Sequence, residues 1–311
     1  MSMRTWLRWL GAGLVVLSFC LLLRELMLFG PEALQIAAEP GQLALALGAS
    51  LGYAVLLTLP AAAWSCVLRE GDDAAFVSRA AVIIYARCNV LKYLPGNVFH
   101  FGGRQLMARR AGWSHRSALV ATAVEIVALP LAAGGVALIA LALSGPYGSG
   151  DLSRDLFGAL GTVELTPAAA ALGLILAGFA AAVIVAVARR LGVAATSLTA
   201  MAALEIAFFA ASAALVAGIA AAMNATGPAD LPVIAAAYLV GWIAGFLVPG
   251  APGGIGVREA VFLYLVAATV AAPTALALAL LTRLVTTLGD LWFSLLANAS
   301  DLPGTAIRNG G

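Results

Sequence analysis

Apolar runs of roughly membrane-spanning length recur along the chain, separated by short polar patches. They extend from about Trp9 to Leu28, Gln42 to Leu68, Ser117 to Leu143, Ala168 to Ala188, Ala200 to Met223 and Thr274 to Ala297. A helix needs roughly 20 apolar residues to cross a bilayer, so each run predicts one crossing. Two further stretches are apolar but broken. Ala80–Leu94 carries Arg87, Asn89 and Lys92 and ends at Pro95-Gly96. Pro232–Val248 leads into Pro249-Gly-Ala-Pro-Gly-Gly-Ile-Gly256, after which Val257–Ala272 resumes. Proline stops the incoming helix and glycine lets the chain reverse. The pattern predicts an all-α polytopic membrane protein with about six full crossings plus two re-entrant helical hairpins. The whole chain, 1–311, reads as a single integral-membrane domain.

Composition agrees with lipid as the solvent. Hydrophobic residues make up 63% of the 311 residues and charged residues only 10%. Soluble domains run at about 45–50% and about 25%. Mean hydropathy is +1.02. A soluble enzyme, a disordered chain and a nucleic-acid binder are excluded. Arg4 and Arg8 precede the first run as in a signal peptide, but no small-residue cleavage site follows it, which predicts an uncleaved span. Cys20, Cys66 and Cys88 lie in apolar stretches without metal-ligand spacing, and there are only two histidines. No metal and no cofactor are expected.

Charge placement sets the orientation. With both broken segments turning back inside the membrane, Arg4, Arg8, Arg69, Arg79, Arg104, Arg109, Arg110, Arg116, Arg189, Arg190 and Arg308 share one side. Arg154 stands on the other with Glu32, Glu39, Asp151, Asp155, Glu164 and Asp230. Positively charged loops stay inside, which predicts both termini in the cytoplasm. The basic loop Arg109–Arg116, which includes His115, is placed to rest on anionic headgroups.

The two broken segments repeat one pattern. Pro95 corresponds to Pro249, Gly96 to Gly250, Gly102 to Gly256 and Arg104 to Arg258, each pair 154 residues apart. The shared form is P-G-x5-G-x-R. It sets a first repeat at about 42–143 and a second at about 200–298. Backbone groups freed at such breaks must be buried in protein or line a wet cavity. Matching breaks in opposite orientation point to an inverted-repeat transporter and to its site. Pro95, Gly96, Pro249, Gly250, Gly253, Gly254 and Gly256 are the expected turn residues.

Lys92-Tyr-Leu-Pro-Gly-Asn-Val-Phe-His-Phe-Gly-Gly-Arg104 and Pro249-Gly-Ala-Pro-Gly-Gly-Ile-Gly-Val-Arg-Glu259 resemble the two signature stretches of the lysylphosphatidylglycerol synthase/flippase transmembrane domain family. The likeness covers nearly the whole chain, with both motifs in the same order. It implies a lipid-translocating helical domain. In two-domain members that domain moves aminoacylated phosphatidylglycerol across the inner membrane, and a soluble domain makes the lipid. Here the sequence stops about ten residues after the last span, at Gly311, so the synthase activity is expected to be absent. Relatives are also associated with hopanoid pathways and with sugar transfer from polyprenyl-phosphate lipids, so the resemblance does not fix the substrate.

Ten charged residues fall within apolar stretches: Arg24, Arg87, Lys92, Arg258, Arg283, Glu25, Glu125, Glu205, Glu259 and Asp290. Each costs about 2.5–3.5 kcal/mol at the bilayer centre on insertion scales, so they must face protein or water. Lys92, Arg104 and Arg258 suit a headgroup phosphate, the arginines through paired N–H bonds. Asn97 and His100 add neutral hydrogen bonds, and Glu259, beside Arg258, completes the expected substrate-binding set. The alternative for Arg104 and Arg258 is a pair of ordinary salt bridges closing the hairpins. Glu125 and Glu205 are candidates for ion or proton coupling, or for neutralising an arginine. Arg283 and Asp290, seven apart, share a face of the last helix and read as structural.

The expected function is a flippase or translocase for an anionic or phosphate-bearing lipid, such as a phospholipid, and a separate lipid-modifying enzyme is a possible partner. No nucleotide-binding P-loop occurs, so coupling would use ions, protons or the lipid gradient. Two alternatives stand beside it. One is a membrane-embedded transferase using a polyprenyl-phosphate-linked sugar, with Glu259 or Glu125 as base. The other is an accessory scaffold for a lipid-modifying enzyme.

Overall fold

The computed structural model describes residues 3–68, 77–94, 98–144, 178, 182, 185–248 and 251–299. Pro95, Gly96, Asn97, Pro249 and Gly250 lie outside the described residues, as do most of the span expected at Ala168–Ala188, Arg69, Arg308 and the polar loop carrying Asp151, Arg154, Asp155 and Glu164. The described residues form helices α1 (Met3–Ala37), α2 (Pro40–Leu56), α3 (Thr58–Val67), α4 (Arg79–Asn89), α5 (Phe99–Arg110), α6 (His115–Leu143), α7 (Ala195–Ala222), α8 (Leu231–Leu247), α9 (Val257–Val266) and α10 (Ala272–Asn298). Short 3-10 turns occupy Val90–Tyr93, Pro228–Asp230 and Pro252–Gly254. There is no strand among these residues.

Among the described residues, five stretches are long and apolar enough to cross a membrane: Pro40–Val67, His115–Leu143, Ala195–Ala222, Pro228–Leu247 and Ala272–Asn298. Four coincide with expected crossings. The fifth, Pro228–Leu247, was expected to be one arm of a re-entrant hairpin. Its 20 residues rise about 30 Å at 1.5 Å per residue, the thickness of a hydrocarbon core. The partner arm α9 has only 10 residues, about 15 Å. The second broken segment is therefore a long arm followed by a half-length one. In the first segment α4 and α5 have 11 and 12 residues, each about half the core thickness. The run expected at Trp9–Leu28 lies inside α1, which continues through Pro31 to Ala37.

Local chemistry explains the element boundaries. Pro60 has no N–H to give the Leu56 carbonyl, and α2 ends there with a break at Leu57 before α3 begins. Ser114 caps α6 by accepting the Ser117 N–H at 3.1 Å. Pro273 sits in the first turn of α10, where its missing N–H costs nothing.

α10 is the central helix. It packs against α1, α2, α4, α9 and the 3-10 turn at Val90–Tyr93. Gly289 lets α2 approach closely: a Cβ there would lie 2.7 Å from the Tyr53 ring and 2.9 Å from the Ser50 carbonyl oxygen. Hydrogen bonds reinforce these contacts. Trp292 Nε1 donates to Ser50 Oγ at 3.3 Å, Ser294 Oγ to the Ala86 carbonyl at 2.6 Å and Arg87 Nε to the Ala297 carbonyl at 3.2 Å. Small residues and interhelical polar bonds hold helices together where lipid removes the hydrophobic drive. The outer faces carry exposed apolar residues, among them Met27, Leu47, Val55, Leu143 and Leu296, too many for a surface in water.

Candidate functional site

The two broken segments meet inside the bundle. The 3-10 turn Val90–Tyr93 packs against the 3-10 turn Pro252–Gly254. At the contact, a Cβ on Gly253 would lie 2.8 Å from the Tyr93 ring. Gly253, Gly254 and Gly256 have φ of 56°, 73° and 83°. Three left-handed residues within four positions are open only to glycine at little cost, so this turn requires its glycines. They let the chain pass from α8 into α9 in the space of a few residues. Gly241 and Gly245 on α8 do the same for packing, since side chains there would run into the backbone and side chain of Arg258.

A cavity of about 70 Å³ lies where these segments converge. Its wall includes Lys92 from the first 3-10 turn, His100, Phe101 and Arg104 from α5, Glu125 from α6, and Gly253 and Arg258 from the second broken segment. Aromatic rings complete it: Tyr53, Tyr85, Phe208, Trp242 and Phe246. That space accommodates several waters, each needing roughly 10–15 Å³.

Each charge in and around the cavity has a distinct environment. Arg104 is 2% exposed and its NH1 donates to Glu125 Oε2 at 2.6 Å. Its guanidinium stands 4.3 Å from the Tyr85 ring centre, 5.1 Å from Phe101 and 5.4 Å from Trp64. Aromatic faces stabilise a cation where water is scarce. Arg258 lies 5.4 Å from the Trp242 ring centre and forms no ion pair among the described residues. Its Nε is buried without a hydrogen-bond partner. Lys92 Nζ donates to Asp290 Oδ1 at 2.8 Å, alongside Asn89 Nδ2 at 2.7 Å, while Tyr93 OH donates to Asp290 Oδ2 at 2.6 Å. Asp290 thus fixes the end of the first broken segment onto α10.

Glu259 does not join the cavity wall. Its Oε2 accepts the Gly256 N–H at 2.7 Å and caps α9, while Oε1 lies 3.5 Å from Arg283 NH1. Arg283 also donates to the Gly253 carbonyl at 3.1 Å. A smaller cavity of about 40 Å³ between α8, α9 and α10 touches Arg258, Glu259 and Arg283, so Arg258 borders both spaces. Glu205 is fully buried on α7, and neither of its oxygens has a hydrogen-bond partner.

Of the expected site residues, Lys92, His100, Arg104 and Arg258 line one cavity, joined by Glu125. Glu259 acts as a helix cap, Glu205 stands apart, and Asn97 lies outside the described residues. Arg283 and Asp290 share a helix but not a bond. Seven residues of rise separate them by about 10 Å, and each finds its partner on another element. Arg24 and Glu25 pair with one another at 2.9 Å near the lipid-facing surface of α1. The aromatic wall, and the roles of Asn89, Tyr93 and Arg283, are not legible from spacing. The only hint was that Asn89 and Arg283 are polar residues within apolar runs.

Among known proteins, no family model and no curated protein matches this chain.

Proposed function

We propose that this protein is a multi-pass lipid translocase of a bacterial inner membrane, with both termini cytoplasmic. Its substrate is an anionic or phosphate-bearing lipid whose headgroup enters the cavity between the broken segments while the tails remain in lipid. The observation that carries this reading is the convergence of Lys92, His100, Arg104 and Arg258 on one cavity at the meeting point of the two breaks. Three cations and one imidazole around an aromatic-lined space roomy enough for water are a costly arrangement inside a membrane, and intramembrane charges of this kind mark substrate paths. Arg258 is the cation without a carboxylate among the described residues, and its guanidinium suits two oxygens of a phosphodiester.

The order of elements supports a repeat. A long helix, a segment ending at a Pro-Gly break, a short helix and a second long helix occur as α2–α3, α4, α5, α6 and again as α7, α8, α9, α10. Alternating access would follow from one half rocking against the other around the cavity. The likeness of the two motifs to the lysylphosphatidylglycerol synthase/flippase transmembrane domain makes phosphatidylglycerol and its lysyl ester the first lipids to try.

Reconstitution into liposomes with headgroup-near fluorescent lipids tests the reading through quenching from one side. Accelerated exchange of phosphatidylglycerol or lysylphosphatidylglycerol, slowed in Arg258→Ala, is the expected result. Unchanged exchange across a broad panel of phospholipids overturns it.

A further inference from the structure

The cations of the cavity fit a headgroup, but its carboxylate needs a separate account. Glu125 lines the same space as Arg104 and holds its NH1, while Arg104 Nε is left without a partner, so an arriving phosphate competes with Glu125 for this guanidinium. Glu125 Oε1 has no hydrogen-bond partner. Glu205, on the adjoining α7, is fully buried with both oxygens unpartnered. Around Glu125, α5 brings Arg104 and His100, α4 brings Tyr85 and α7 brings Glu205. α3 and α8 contribute no charged residue.

We infer that a phosphodiester headgroup displaces Glu125 from Arg104, and that Glu125 takes one proton from the aqueous phase as it is released. This rests on the translocase reading and adds its coupling. Breaking a buried ion pair leaves an uncompensated charge, which is strongly unfavourable. If Glu125 stayed ionised, its carboxylate would face the negative charge of the phosphate in the same cavity. A proton on Glu125 removes that repulsion: one anion and one proton enter together, and the net charge of the cavity is unchanged. The headgroup phosphodiester stays ionised throughout, so the proton resides on the protein. Headgroup binding and protonation then favour one another reciprocally, and a proton gradient biases the direction of lipid movement.

Calorimetry of the full chain in a neutral detergent, titrated with short-chain phosphatidylglycerol in buffers of different ionisation enthalpy, reads affinity and proton number together. The expected result is about one proton taken up per lipid bound, with Kd falling about tenfold for each unit drop in pH across the titrating range, the slope required by linkage to one proton. In Glu125→Gln the uptake disappears and the affinity no longer depends on pH. If that variant does not fold, the pH slope of the unmodified protein, retained in His100→Gln, decides. Binding without proton uptake overturns the inference and leaves the translocase reading standing. Uptake that persists in Glu125→Gln or vanishes in His100→Gln overturns it by placing the proton elsewhere. No binding at any pH overturns both.

Discussion

Arg104 NH1 and Glu125 Oε2 lie 2.6 Å apart, both side chains almost wholly removed from solvent. The pair joins the half-length helix α5 to the full-length α6 at the cavity wall. Removing one partner leaves the other buried without its counter-charge. Arg104→Ala and Glu125→Ala are each expected to lose about 3–5 kcal/mol of stability, read as a lowered thermal midpoint in detergent. The double variant Arg104→Ala/Glu125→Ala is expected to fall well short of the sum. Additive losses would show that the two residues act independently.

Arg258 differs because it forms no ion pair among the described residues. Arg258→Ala is expected to keep the thermal midpoint near that of the unmodified protein while lipid exchange in liposomes falls at least tenfold. A misfolded Arg258→Ala would instead assign the guanidinium a structural role against Trp242 and the glycines of α8.

Asp290 gathers donors from Asn89, Lys92 and Tyr93. Asp290→Leu alone strands the Lys92 ammonium and is expected to destabilise by about 3–5 kcal/mol. Adding Lys92→Met should restore much of that loss, which denaturation of both variants side by side will measure.

Close helix approach gives a size-based test. A side chain at Gly289 meets the Tyr53 ring and the Ser50 carbonyl, whereas one at Gly48 meets nothing within 4 Å. Gly289→Ala is expected to cost about 1–3 kcal/mol by forcing α2 away from α10. Gly48→Ala should be neutral or stabilising by up to about 1 kcal/mol. Equal thermal shifts in the two variants would contradict this packing.

Much of the architecture is legible in the chain because its causes are local. Long apolar runs mark α6, α7 and α10, whereas the break between α2 and α3 falls inside a run that reads as one crossing. The glycines at 253, 254 and 256 announce a turn that only they adopt readily. Pairings resist such reading. Asn89 finds Asp290 201 residues away and Arg104 finds Glu125 across 21. Both pairings depend on how each helix is rotated about its axis, and uniformly apolar helices carry no polar face to report that rotation.

The sequence by itself determined that the solvent is lipid, that the fold is helical and where the chain breaks, since hydropathy, proline and glycine act over a turn or two of backbone. Only the tertiary structure decided which charge meets which. It gave Arg104 to Glu125, Lys92 to Asp290 and Glu259 to the start of α9, and left Arg258 facing both cavities. Those outcomes follow from close packing of rigid helices. A side chain's partner is whatever the neighbouring helix brings within about 3 Å, and no spacing along one strand of sequence encodes that neighbour.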